Sequence, residues 1–319
     1  MRAIFQIALN TWREILREPV YLLILASALI LIALLPMFTL FVFREQVKMV
    51  VDAALATVMV FGWVLAVLCA ANAITREIDR GTAVAVLVKP VPRWSFIVGK
   101  TVGIFAALLF FWLLATMASL VSVRAATDQF RFDQAAVLIS FGCLAAACAF
   151  GGWRNFSSRA SFAMNAVVAM LPLYALGMLV VVLLGAEGEA RLTYAWNIVP
   201  AFVLLLYAVW AMGALAVAFS TRLPLLVNLN LCAVVFILGL MSDYLLGRFA
   251  ESSLLAALAY AAVPNWQLLW LADALAAGRT IPSAYLVWGT IYMLCLVGLF
   301  VGFAIFLFED REVGLQNVR

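Results

Sequence analysis

Ile74-Thr75-Arg76-Glu77-Ile78-Asp79-Arg80-Gly81-Thr82 leads into an apolar run from Ala83 to Val88, and Lys89-Pro90-Val91-Pro92-Arg93-Trp94-Ser95-Phe96-Ile97-Val98-Gly99-Lys100 follows. Long apolar segments flank this stretch on both sides, yet Arg76, Glu77, Asp79, Arg80, Lys89, Arg93 and Lys100 crowd into it. A charged connection between lipid-soluble segments belongs where it meets water, phosphate headgroups or another protein. The fold class therefore turns on the flanks.

The rest of the composition agrees with those flanks. Hydrophobic residues make up 68% of the 319 and charged residues 11%, whereas a soluble domain is about one quarter charged. Together with a mean hydropathy of +1.14, this defines an all-α polytopic membrane protein. The net charge is only +4, and no basic face with interleaved aromatics points to a nucleic-acid partner. Cys69, Cys143, Cys148, Cys232 and Cys295 all lie in apolar runs, where a thiol acts as a small hydrophobe rather than as part of a disulfide framework. The chain has no histidine, which removes the commonest metal ligand and general base. Neither a catalytic constellation nor a metal site is expected.

A hydrocarbon core about 30 Å thick needs roughly 20 apolar residues of helix. Spans are accordingly expected near 20–43, 53–74, 96–123, 135–152, 162–184, 197–219, 225–246 and 285–308, about eight transmembrane helices by this measure. Residues 1–18 place Phe5, Ala8, Leu9, Trp12, Ile15 and Leu16 at helical spacing opposite Gln6, Asn10, Arg13, Glu14 and Arg17. That pattern predicts an amphipathic interfacial helix. It precedes a transmembrane domain over 19–319. With both termini in the cytoplasm, 13 of the 20 lysines and arginines fall inside and 7 outside, the expected bias. The opening stretch then lies in the cytoplasm, bounded by Pro90 and Pro92.

Several motifs receive narrower readings. Gly99-Lys100-Thr101 matches the tail of a Walker A loop, but Trp94 stands where its first glycine belongs and no strand precedes it. Nucleotide binding by this chain is not expected. Asn228, Asn230 and Asp243 are candidates for an intramembrane polar path, with interhelical hydrogen bonding the plainer reading for each asparagine. Arg124 to Gln134 reads as a solvated external loop. Between 247 and 284, Ser252–Val263 and Trp266–Ala277 are too short to span and read as two external re-entrant helices. Gly298-x-x-x-Gly302 reads as a close-packing pattern, within the chain or, less favoured, at a dimer seam.

The order Glu77, Arg80, Gly81-Thr82, an apolar run, Pro90-x-x-Arg93 and then Gly99-Lys100-x-x-Gly103 resembles the cytoplasmic connection of type-2 ABC exporter permeases. Ser220-Thr221-Arg222-Leu223-Pro224 before an asparagine-bearing helix and the paired external helices resemble the same family. The resemblance implies a six-helix core, here with an extra pair between 135 and 219, and a coupling helix within 75–94 that docks on a separate ATP-binding subunit. Glu77, Arg80, Gly81, Thr82, Pro90 and Arg93 would carry that coupling. ATP and Mg would be bound by the partner, and no cofactor by this chain. A second permease copy, the lipid bilayer and accessory proteins are the other implied partners, and a bacterial cytoplasmic (inner) membrane the implied location. A subunit that transmits ATPase movement without moving a substrate, or a channel or secondary carrier, are the alternatives.

Overall fold

The computed structural model describes residues 2–38, 45–79, 92–126, 132–184, 194–250 and 263–309, together with 253–255, 257 and 260. Among these the chain is helical, with one isolated antiparallel bridge between Ala126 and Phe132. Seven helices among the described residues are long and apolar enough to cross a membrane. The protein is thus an integral membrane protein with seven candidate helical spans.

The chain opens with α1 (Arg2–Arg17) and α2 (Pro19–Phe38), where Pro19 supplies the fixed φ suited to a first helical position. Helix α3 (Gln46–Ala70) continues without a break through a π-helix (Ala71–Thr75) into the short α4 (Arg76–Asp79). Pro92, extended at ψ 141°, starts α5 (Arg93–Ala125). Helix α6 (Gln134–Ser158) is capped by Asp133, whose carboxylate accepts the Ala136 N–H at 3.1 Å. Helices α7 (Phe162–Leu184) and α8 (Val199–Ser220) follow, the latter after a 3-10 turn at Trp196–Ile198.

After α8 the sequence and the structure differ. The span expected at 225–246 is a helix of only 16 residues, α9 (Leu225–Leu240), followed by a π-helix (Asp243–Gly247) and the short α10 (Arg248–Ala250). At about 1.5 Å per residue α9 is roughly 24 Å long, short of a full hydrocarbon core. Its end is set by packing: a Cβ on Gly239 would lie 2.3 Å from Trp266 Nε1 and 2.4 Å from Pro264 O. The 3-10 turn Trp266–Leu269 presses there, with Trp266 fully buried, and α11 (Ala272–Ala276) follows it. Helix α12 (Ser283–Glu309) then returns along α8. The ends of these helices fix the path. Tyr285 Oη donates to Leu268 O at 2.7 Å at one end of the bundle, and Arg222 Nε donates to Leu307 O at 2.8 Å at the other. The chain therefore changes ends between Leu225 and Ser283.

Two further expectations are corrected. The helix expected over 135–152 runs to Ser158, because the polar turn after Gly152 stays helical until Arg159 adopts a left-handed φ of 51°. Arg124 is no solvated loop residue. It lies in the last turn of α5, buried to 8% exposure, donates to Val181 O at 3.1 Å and faces the Tyr194 ring. Residues 252, 256, 258, 259, 261 and 262, within the first expected external helix, and residue 251 before it lie outside the described residues.

Helix α8 is the centre of the bundle, with 78% of its apolar window enclosed against 22% for α12. Polar side chains tie it to α5 through carbonyls: Trp112 Nε1 donates to Phe202 O at 2.6 Å, and Trp210 Nε1 to Phe105 O at 3.1 Å. Tyr21 Oη to Ala107 O (2.9 Å) and Ser122 Oγ to Ile32 O (2.7 Å) bind α2 to α5 in the same manner. Such bonds hold helices together where lipid supplies little hydrophobic drive.

The close-packing glycine pair that joins helices here is not the expected one. No atom of the described residues lies within 4 Å of a Cβ built on Gly298 or Gly302, so both face outward. A Cβ on Gly99 would instead stand 2.8 Å from Ile7 Cγ2, and one on Gly103 would stand 2.6 Å from Ala8 O. Gly99-x-x-x-Gly103 thus seats α1 against α5, with Ala8, Thr11, Ile15 and Leu16 on the buried face of α1. Gly103→Leu is expected to displace α1 and lower stability by about 1–3 kcal/mol. Trypsin cleavage at Arg13 and Arg17 should rise in this variant; unchanged protection would show that α1 does not depend on the seam.

Candidate functional site

Ion pairs and carbonyl bonds draw the helix ends around α4 into one cluster. The π-helix makes this arrangement reach several neighbours. Arg76 N–H donates to Ala71 O, five residues back, and the extra residue rotates all that follows relative to the face of α3. Thr75 Oγ1 then donates to Ser220 O at 3.2 Å, at the turn between α8 and α9. Arg76 Nη1 reaches Glu18 Oε1 at 2.8 Å, at the junction of α1 and α2. Glu77 pairs with Lys100 of α5.

These two ion pairs differ in weight. Glu18 and Arg76 keep 29% and 49% of their side-chain exposure, and a pair that open contributes about 0–1 kcal/mol. Lys100 is 5% exposed and Glu77 20%. Lys100 also stands 5.7 Å from the centre of the Phe96 ring, and that ring stacks on Phe308 of α12. A cation in such a position needs its anion, because removing one member of a buried pair strands the other. The Glu77–Lys100 bond is therefore the stronger constraint on how α4 meets α5.

Arg93 opens α5 and its Nη1 donates to Glu309 O, the last described carbonyl of α12. Of the expected coupling residues, Glu77 and Arg93 thus sit at the same end of the bundle, on opposite flanks of the connection. Arg80, Gly81, Thr82 and Pro90 lie outside the described residues. Gly99-Lys100-Thr101 is engaged in helix packing: Gly99 against α1, Lys100 with Glu77, and Thr101 Oγ1 on Ile97 O at 2.9 Å.

The three candidates for a polar path do not come together. Asn228 is fully buried and locks the hairpin of α8 and α9, its Nδ2 donating to Ser220 Oγ at 2.7 Å and Ala216 O at 3.1 Å, while its Oδ1 faces Cys232 Sγ at 3.3 Å. Asn230 is exposed and bonds Leu226 O of its own helix at 2.8 Å. Asp243 lies at the far end of the bundle, where Oδ1 accepts from Tyr260 Oη at 2.6 Å and Asn265 Nδ2 at 2.7 Å. That hydrogen bond to the carboxylate is the first cause holding the Tyr260 phenol above its ordinary pKa. Asn265 N–H in turn donates to Tyr292 Oη at 2.9 Å. This cluster fastens the segment around Pro264 to α12.

Among the described residues no three His, Cys, Asp or Glu side chains gather as metal ligands. Sequence reasoning missed Glu18, whose signal was an acid directly before the proline that starts α2. It also left Thr75 and Arg222 without roles. No protein-family model matches the chain, and no curated protein matches it significantly. Lys100→Met is expected to destabilise the protein by about 3–5 kcal/mol, with Glu77→Gln/Lys100→Met recovering part of the loss. Thermal unfolding in detergent measures both, and additive losses would remove the pair from the account.

Proposed function

We propose that this chain is the permease subunit of an ATP-driven transporter of the type-2 ABC kind, forming the translocation path and coupling to a separate ATPase subunit. The observation that carries this reading is the anchoring of the connection on both flanks. Its entry is tied to α2, α5 and the α8–α9 turn by Arg76, Glu77 and Thr75, and its exit to α12 by Arg93. Force applied between residues 80 and 91 has stiff paths into several helices at once. A solvated loop that merely joined two spans would not require such anchoring.

In this reading the end bearing Glu77 is cytoplasmic, with Arg80, Gly81, Thr82 and Pro90 presented to the partner. ATP and Mg act in that partner, and the difference in its affinity for two permease conformations supplies the bias. The lysine and arginine distribution supports the orientation, and the sequence resemblance supports the partner class. A second permease copy would complete the path.

The test uses Gly81→Trp, because Glu77 also serves the fold through Lys100. The reconstituted complex in vesicles should show ATP-dependent flux, and Gly81→Trp should uncouple ATP hydrolysis from that flux while the protein remains folded. Hydrolysis without flux in the unaltered complex would favour force transmission alone, ATP-independent flux a channel or carrier. Coupled activity unchanged by Gly81→Trp would sink the assignment of the loop.

A further inference from the structure

The last turn of α1 and the turn between α6 and α7 enclose a cleft of about 490 Å³, lined by Arg17, Arg159, Ala160, Ser161, Met164 and Asn165. Two guanidinium groups thus reach one concavity from separate parts of the chain. Among the described residues neither has a carboxylate within 4 Å, whereas Arg76 and Lys100 at the same end of the bundle are both paired. The adjoining groove adds Arg13 and, of opposite sign, Glu14, while the Glu18 carboxylate is taken up by Arg76. The local balance stays positive.

The position of Arg159 is held by its backbone. Its N–H donates to Asn155 O at 3.0 Å, and Asn155 Nδ2 donates to Ala160 O at 2.8 Å. Its φ of 51° makes it the only non-glycine residue with positive φ among the described residues, in a conformation that favours glycine or asparagine. Ser161 caps α7, its Oγ facing the Met164 N–H at 3.5 Å, so its hydroxyl proton is free to point into the cleft.

Depth decides the ligand class. Trp153 and Phe156, in the last turns of α6, are 61% and 91% exposed, as aromatic side chains at the membrane–water boundary are. Helix α1 turns its polar face, with Arg13 and Arg17, outward at the same end. The cleft therefore lies at headgroup level.

We propose that this cleft binds the phosphate of an anionic phospholipid headgroup. Arg17 and Arg159 donate to the phosphate oxygens, a geometry for which the planar guanidinium fork is suited, and the Ser161 hydroxyl supplies a third donor. The acyl chains run down the exposed apolar faces of α6 and α7 next to the cleft, where Phe150, Phe162 and Val168 are open. This inference does not depend on the transporter reading.

The test is native mass spectrometry of the full chain released from micelles holding equal phosphatidylglycerol and phosphatidylcholine. The unaltered protein should retain phosphatidylglycerol preferentially, and Arg17→Gln/Arg159→Gln should lose that preference by about tenfold. Arg279→Gln, at the far end of the bundle, should keep it. Thermal midpoints in phosphatidylcholine alone separate a lost site from a lost fold, and Arg17→Gln alone, which leaves the left-handed turn intact, should lose part of the preference. Equal retention by the double variant, or an equal loss in Arg279→Gln, would overturn the proposal. Displacement of the retained lipid by millimolar inorganic phosphate would also overturn it, marking a site for a free anion.

Discussion

Lys100 is a cation built into an apolar helix, and the end of the bundle around it follows from the need to give it an anion. Its ammonium is nearly enclosed by Glu77, Phe96 and the helices beside them. Bringing Glu77 to it requires α4 to leave the line of α3, which the π-helix at Ala71–Thr75 allows. With that rotation Arg76 faces Glu18 and Thr75 faces the α8–α9 turn. Four helix ends are thereby held by the geometry of one buried pair.

The opposite end uses hydrogen bonds without an ion pair for the same purpose. Asp243, Tyr260, Asn265 and Tyr292 form a chain of hydrogen bonds that brings the Pro264 segment onto α9 and α12. Between the two ends, indole and hydroxyl donors reach carbonyls of neighbouring helices. Non-helical backbone near the membrane must be covered by protein, and Trp266 does this by filling the space above Gly239.

Much of the architecture was legible because lipid imposes a length. Seven long spans follow from apolar runs alone, and Pro92, which the sequence reading sets as the close of the connection, stands where α5 starts. The expected span at 225–246 is interrupted after Leu240, and hydropathy cannot register the approach of Trp266 to Gly239 that accompanies the break. The intrachain reading of Gly298 and Gly302 failed for a related reason: spacing identifies a surface of small residues but not the element that covers it. Gly298 and Gly302 have the pattern without the neighbour, while Gly99 and Gly103, whose pattern overlapped that of a phosphate loop, have the neighbour. Glu77 and Arg93, named in the sequence through the charge crowded around them and the family resemblance, are engaged by Lys100 and Glu309 in the structure. Glu18 and Thr75 receive no role from the sequence, since their partners are distant in sequence and only the fold brings them near.

The seam at Gly99 and Gly103 also sets an order of events during synthesis. Helix α1 leaves the ribosome before α2 and α3, yet the surface that receives it belongs to α5, which is made only after them. Until α5 arrives, α1 has its amphipathic face to lay on the bilayer surface and little else to bind. Helix α1 is thus seated late, and its docking marks a stage of assembly at which the four helices α2 to α5 have already been made.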